Sequence, residues 1–322
     1  MNNAVWSIGS LLFSCWVAVQ VLHPFDIQYL TNEQLQVIKQ DKLFWEWDSP
    51  YGNIEMHYIE KGEGPEHVLL LHGFRGHSYT WKKMIEPLAA AGYHVWAVDM
   101  IGFGLSGKPD NVPYDYHFFV DQMQAFMEAK KIQNVHLIGN SMGGGLALSL
   151  ALDQPERIKS LTLISALGYP LELPFYFTIS THLSNIYKPF LGSSMVRNGL
   201  KRLVYDQNQI TDEQIEAYSM PFRLHGGVEA SIATLHNFDN HRLEEMSKQY
   251  SFMNCPVLVI WGDHDTLIPL THYENFLKDF PTSDSCLIPE CGHLPQEEKS
   301  NDVLAAIFPF LEKNVIGPEH MN

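Results

Sequence analysis

Short, uninterrupted apolar runs alternating with segments of helical periodicity constrain this chain more than any other feature. The run Val68–Leu71 offers no polar side chain to water, so a strand made of it must be covered on both faces. The spacing predicts further strands at His94–Val98, Val135–Ile138, Leu161–Ile164, Pro256–Trp261 and Ser285–Ile288. Between them it predicts helices at Trp81–Ala91, Phe118–Lys130 and Met142–Leu152. Strand–helix–strand repetition of this kind specifies a mostly parallel sheet with helices on both sides, a doubly wound α/β fold. Ahead of it, the aromatic-rich segments Lys42–Asp48 and Ile54–Glu60 bracket Ser49-Pro50-Tyr51-Gly52-Asn53 and read as a hairpin.

The alternation breaks once. From about Gly168 to Met253 the sequence is helical and aromatic, without a buried strand run, and the parallel pattern resumes at Pro256. An insertion of this size reads as a helical cap, residues 168–253, over a core made of residues 42–167 and 254–315. Phe175, Tyr176, Phe177 and Tyr187 of the cap are candidates for binding an apolar substrate; packing within the cap is the plainer role for any one of them.

Residues 1–24 form a hydrophobic segment, followed by a connection with a short helix over residues 25–41. Ala4 to Leu22 carries no charge, and as a helix would reach roughly 28 Å, about the thickness of a hydrocarbon core. The first basic residue is Lys39 and no A-x-A follows the apolar run, so an N-terminal membrane anchor is expected ahead of a cleaved secretory signal. Ser7, Ser10 and Ser14 share one helical face, which also suits a helix lying on the membrane or on the protein itself. Lys39 and Lys42, the nearest positive flank, lean towards a cytoplasmic catalytic domain.

The formal net charge of −16 repels phosphate backbones, which argues against nucleic-acid partners but not against a neutral, lipophilic small molecule. The four cysteines include no CxxC pair, and Cys286, Cys291 and His293 match no common zinc spacing. They read as small apolar fillers, and no metal or organic cofactor is implied.

Chemistry concentrates where strands end. Gly139-Asn140-Ser141-Met142-Gly143 lies between an apolar strand and an Ala/Leu-rich helix. A serine on so sharp a turn has its hydroxyl lifted clear of the sheet, and the helix behind it points N–H groups at any negative charge that forms. His72-Gly73-Phe74 closes another strand. Acyl transfer needs two backbone N–H donors for the oxyanion, and Met142 and Phe74 are the candidates. Asp263 and Asp265 both follow the strand ending at Trp261, where a carboxylate can orient a histidine; position alone leaves the two open. His293, in Gly292-His293 after the last strand, completes the order Ser…Asp…His as the base.

These motifs resemble the α/β-hydrolase fold family from about Asn53 to Leu311. His72-Gly73 matches its oxyanion motif, Asp99-Met100-Ile101-Gly102-Phe103-Gly104-Leu105-Ser106 its D-x-x-G-x-G-x-S loop, and Gly139–Gly143 its nucleophile elbow. The resemblance implies an eight-stranded sheet with an inserted cap, makes Asp265 the acid through Gly262-x-x-Asp265-x-x-x-Pro269, and gives the Asp99 loop a structural role. A serine nucleophile argues against haloalkane dehalogenases and most epoxide hydrolases. Gly139–Gly144 (GNSMGG) is similar to the meta-cleavage-product hydrolases, which split carbon–carbon bonds, but their glycine-rich oxyanion loop and the Trp after the histidine are absent. Anchor, cap and core together look more like monoacylglycerol lipases and related esterases. The expected activity is hydrolysis of a lipophilic carboxylic ester; carbon–carbon hydrolysis and a non-catalytic ligand-binding module are the alternatives.

Overall fold

The computed structural model describes residues 29–172 and 193–315. Eight strands, β1 (Leu43–Ser49), β2 (Gly52–Lys61), β3 (Glu66–Leu71), β4 (Tyr93–Val98), β5 (Val135–Asn140), β6 (Ile158–Ile164), β7 (Val257–Gly262) and β8 (Asp284–Ile288), form one sheet in the order β1-β2-β4-β3-β5-β6-β7-β8. The first two are antiparallel to their neighbours and all later pairs are parallel. The expected doubly wound architecture is therefore present.

The helices among the described residues are α1 (Asn32–Lys39), α2 (Lys82–Ala90), α3 (Tyr116–Ala129), α4 (Met142–Asp153), α5 (Ser193–Leu203), α6 (Asp212–Ser219), α7 (Gly227–His236), α8 (Asn240–Ser247), α9 (Leu270–Asp279), α10 (Pro295–Glu298) and α11 (Ser300–Val315). Alternate residues of β3 feed two cores. Leu69 and Leu71 pack with Met123 of α3, Leu146 of α4 and Phe276 of α9, whereas Val68 and Leu70 pack with Leu88 of α2 and Ile307 of α11. Each such side chain removed from water contributes about 1.5–3 kcal/mol, which is why the run cannot settle at a surface.

Two boundaries differ from the sequence pattern for local reasons. β6 begins three residues before Leu161 because its polar residues find partners: Lys159 bonds Glu66 (2.5 Å) and Ser160 meets His136 Nδ1 (2.7 Å). The helix expected from Trp81 begins as a 3-10 turn, Ser78–Trp81, and becomes α-helical at Lys82. The hairpin is tighter than its bracketing segments suggested. Ser49 faces Gly52 across a turn of Pro50 and Tyr51, and the Ser49 hydroxyl donates to the Gly52 carbonyl (2.7 Å).

Between β6 and β7 the described residues contain helices and no strand. The segment 1–24 and the residues Phe175, Tyr176, Phe177 and Tyr187 lie outside the described residues. Among the described residues no helix is long and apolar enough to cross a membrane.

β3 sits between β4 and β5, so the chain leaves it to one side and later returns to the other. The carboxyl ends of β3 and β5 thus flank a topological switch point, where a crevice opens in sheets of this type. Close main-chain approaches keep this edge compact. A Cβ at Gly262 would fall on the carbonyl oxygen of Gly292 and lie 2.5 Å from that of Cys291, both backbone atoms that cannot swing aside. Gly262→Ala is expected to lower the unfolding free energy by about 1–3 kcal/mol, measured by urea denaturation; an unchanged midpoint and slope would contradict this packing.

Candidate functional site

The turn between β5 and α4 places Ser141 at φ 55° and ψ −122°, a backbone conformation that costs a non-glycine residue on the order of 1–3 kcal/mol. The surroundings hold it there. The Ser141 N–H donates to Ile164 O (3.1 Å), and the Ser141 carbonyl accepts from Gly144 (2.9 Å) and Leu167 (2.9 Å). A Cβ on Gly73 would stand 2.9 Å from that of Ser141, and one on Gly143 would lie 2.5 Å from the His72 carbonyl oxygen. Gly73 and Gly143 therefore let the loop after β3, the serine turn and α4 share one small volume. Met142 opens α4, in the first turn, whose N–H groups have no carbonyl partner within the helix.

At the end of β7 the two aspartates separate. Asp265 Oδ1 accepts the N–H groups of Leu267 (2.9 Å) and Ile268 (3.0 Å), leaving Oδ2 to meet His293 Nδ1 at 2.8 Å, with both side chains almost wholly buried. Asp263 Oδ1 instead meets the exposed His264 (2.6 Å) and the N–H of Cys291 (3.3 Å). Geometry thus pairs Asp265, not Asp263, with His293. Asn140 Nδ2 donates to the His293 carbonyl (3.2 Å) and brings the histidine loop alongside the serine turn. Among the described residues no hydrogen bond joins the Ser141 and His293 side chains.

The His72-Gly73 loop owes its shape to a histidine fixed in one neutral tautomer. His72 Nδ1 donates to Gly73 O (2.8 Å), while Nε2 accepts the N–H of Met100 (2.9 Å). Burial lowers its pKa to about 4, against the raising pull of Asp99 and the Gly73 carbonyl. Asp99 itself is buried and takes His57 Nδ1 (2.8 Å) and the N–H groups of Ser78 (2.7 Å) and Leu105 (2.8 Å). Burial alone would raise its carboxyl, but His57, His77 and His72 hold it well below the ordinary range. The loop after β4 is in this way locked to the loop after β3, the structural part expected of it.

A cavity opens at Ser141. Phe74 and Met142 form part of its wall. Much of the rest is apolar and was not singled out in the sequence: Tyr116 and Phe119 of α3, Leu235 of α7, Phe238 beyond it, and Leu267 and Ile268 of the Asp265 loop. The signal for α7 was faint, because Thr234 and Leu235 follow a short alanine-rich stretch with no aromatic cluster. Among the described lining residues the one charged side chain is Asp115, and there is no lysine or arginine. Cys291 is buried and Cys255 and Cys286 half-buried, all three free.

With this geometry in view, the comparisons with known proteins are specific. The family model for the alpha/beta hydrolase fold matches residues 66–184 and 189–300, well over half of the chain. The chain belongs to the α/β hydrolase fold family and is a hydrolase. It is 28% identical over 278 residues to a 2-hydroxy-6-oxononadienedioate/2-hydroxy-6-oxononatrienedioate hydrolase of Paraburkholderia xenovorans, covering 81% of this chain and 91% of the relative. It is 27% identical over 265 residues to Lipase 1 of Psychrobacter immobilis, covering 76% of each. Among solved structures, the 2-hydroxy-6-oxo-6-phenylhexa-2,4-dienoate hydrolase of Rhodococcus sp. strain RHA1 superposes with a TM-score of 0.71 at 22% identity, over 84% of this chain and 99% of that one.

The His72 lock gives a pH dependence. The folded chain disfavours the proton, so the unfolded chain binds it first; the stabilisation is complete above about pH 6.5 and is lost as pH falls towards 4. A shift of that size corresponds to about 3 kcal/mol. Stability measured by denaturant between pH 7 and 4 is expected to fall less steeply in His72→Gln than in the native chain, and identical slopes would contradict the lock.

Proposed function

We propose that this chain is a serine hydrolase of neutral, apolar carboxylic esters, with Ser141 as nucleophile, His293 as base and Asp265 as the group that orients it. The observation that carries the reading is the buried Asp265–His293 hydrogen bond beside a serine held on a strained turn in the wall of an apolar cavity. Asp265 binds Nδ1 and so leaves Nε2 as the nitrogen that takes the Ser141 proton when substrate draws the two together; such bonds are commonly long before substrate binds. The serine oxygen attacks the ester carbonyl, and the N–H groups of Met142 and Phe74 receive the oxyanion. The imidazolium returns its proton to the departing alcohol. Water, deprotonated by the same imidazole, then releases the acid from Ser141. The inserted helices act as a cap, a reading supported by Leu235 and Phe238 of the insertion lining the same cavity as Ser141.

The cavity wall also bears on which bond is cut. The named substrates of the Paraburkholderia relative are dianions. A wall whose described residues offer one carboxylate and no cation disfavours such a molecule by desolvation and repulsion, and suits an uncharged acyl chain. Carbon–carbon hydrolysis stays as the second reading because that relative and the GNSMGG motif both favour it. For the N-terminal Ala4–Leu22 run, absence of charge supports a membrane anchor.

A fluorophosphonate probe is expected to label the native chain and to leave Ser141→Ala unlabelled. Asp265→Asn should lower kcat on p-nitrophenyl butyrate by about ten-thousandfold, because the wrong tautomer is then favoured. Equal labelling of native and Ser141→Ala protein would end the reading, and turnover of a dienedioate without any ester hydrolysis would select the alternative.

A further inference from the structure

We propose that Glu298 is a positioning residue for the His293 base, and that it ties the base to the inserted helices. The inference rests on His293 being the base, as proposed above.

The carboxylate sits one helical turn beyond the histidine, at the end of α10, and every polar group it meets is a main-chain N–H. Oε1 accepts from Gly292 (3.0 Å) and Leu294 (3.3 Å), and Oε2 from Gly292 (3.1 Å). These are the residues on either side of His293, so one side chain fixes the two peptide units that set the direction of the imidazole. Oε2 also accepts the N–H of Tyr205 (2.7 Å), just past α5 in the insertion. The His293 N–H itself donates to Leu203 O (2.6 Å), the last residue of α5, and Thr266, next to Asp265, donates its hydroxyl to Arg202 O (2.8 Å). Leu294 packs with Leu200, Val204 and Tyr218 of the insertion.

The Gly292–Leu294 loop therefore has no independent rest position. Three backbone N–H groups and one carbonyl across residues 292–294 are each held by a group outside the loop, two of them through Glu298 and one through α5. Residue 292 must be glycine for this to work, because a Cβ would fall on the Leu203 carbonyl and lie 3.0 Å from the Glu298 carboxylate. Burial raises the Glu298 carboxyl against the pull of its N–H donors, so a glutamate at this place is costly unless those donors stay in reach.

Because all the partners are donors, a carboxylate fits and a carboxamide does not. In Glu298→Gln one oxygen becomes an NH2 group facing an N–H, and either the histidine loop or Tyr205 loses its acceptor. A displacement of the imidazole of about 1 Å is enough to cost roughly a hundredfold in rate. The full-length variant is expected to show kcat on p-nitrophenyl butyrate lowered about tenfold to a hundredfold with KM little changed, and fluorophosphonate labelling slowed by the same factor. Glu298→Asp keeps both acceptor oxygens at shorter reach and should recover part of the loss. A purely structural role would lower the melting temperature while leaving kcat and KM per labelled site at native values, and that result overturns the proposal. If Glu298→Gln does not fold, Glu298→Asp decides alone, with native kcat as the overturning outcome. His293→Ala, run in parallel, separates the two readings: labelling at the native rate in that variant removes the base itself, whereas loss of labelling there with native behaviour in both Glu298 variants removes only the clamp.

Discussion

Main-chain contact at the carboxyl edge of the sheet is the constraint on which the rest of the molecule depends. Gly73 against Ser141, Gly143 against the end of β3, Gly262 against Gly292 and Gly292 against Leu203 are all places where backbone meets backbone or a fixed Cβ. No side chain can intervene there. The result is that segments from distant parts of the chain converge within a few ångströms, and the strain of the Ser141 turn is carried by neighbours that leave it no other position.

Inside that frame the polar groups are divided by task. Asp265 spends one oxygen on two backbone N–H groups and the other on His293, so the imidazole cannot rotate without unpairing a buried carboxylate. Asp99, equally buried, faces three histidines but stands away from the cavity wall, and its hydrogen bonds run to His57 of β2 and to the N–H groups of Ser78 and Leu105. Of the two buried Asp–His contacts, one starts from the loop whose Leu267 and Ile268 line the cavity, and the other braces the loops after β3 and β4. Glu297 adds a third tie: its carboxylate takes the hydroxyls of Thr80 and Tyr218 and the amide of Gln214, joining the Ser78–Trp81 turn to α6.

Much of this was legible because its causes are local. Val68–Leu71 or Val135–Ile138 can only be strands covered on both faces, and G-x-S-x-G between strand and helix names its own turn. The order of Ser141, Asp265 and His293 followed from which strand each one ends. What stayed hidden depends on contacts between segments far apart. Ser160 looks like a loop residue until His136 lies beside it, and Glu298 looks like a solvated helix residue until the insertion delivers the Tyr205 N–H. Aromatic density in the sequence pointed to Phe175–Phe177 and Tyr187, which lie outside the described residues; the lining that the described residues supply comes from α3, α7 and the Asp265 loop, which meet only in the folded chain.

The His57–Asp99 contact carries a consequence for the front of the molecule. His57 belongs to the antiparallel hairpin, outside the parallel sheet that an α/β domain needs, and with side-chain exposures of 4% and 1% the two groups are sealed from solvent. Removing β1 and β2 would leave a buried carboxylate without the His57 hydrogen bond, a loss on the order of 1–3 kcal/mol for an acceptor left unpaired. The hairpin is therefore not an appendage that trimming could spare: it acts as a keystone, and a shortened domain beginning at β3 would surrender the shape of the loops after β3 and β4.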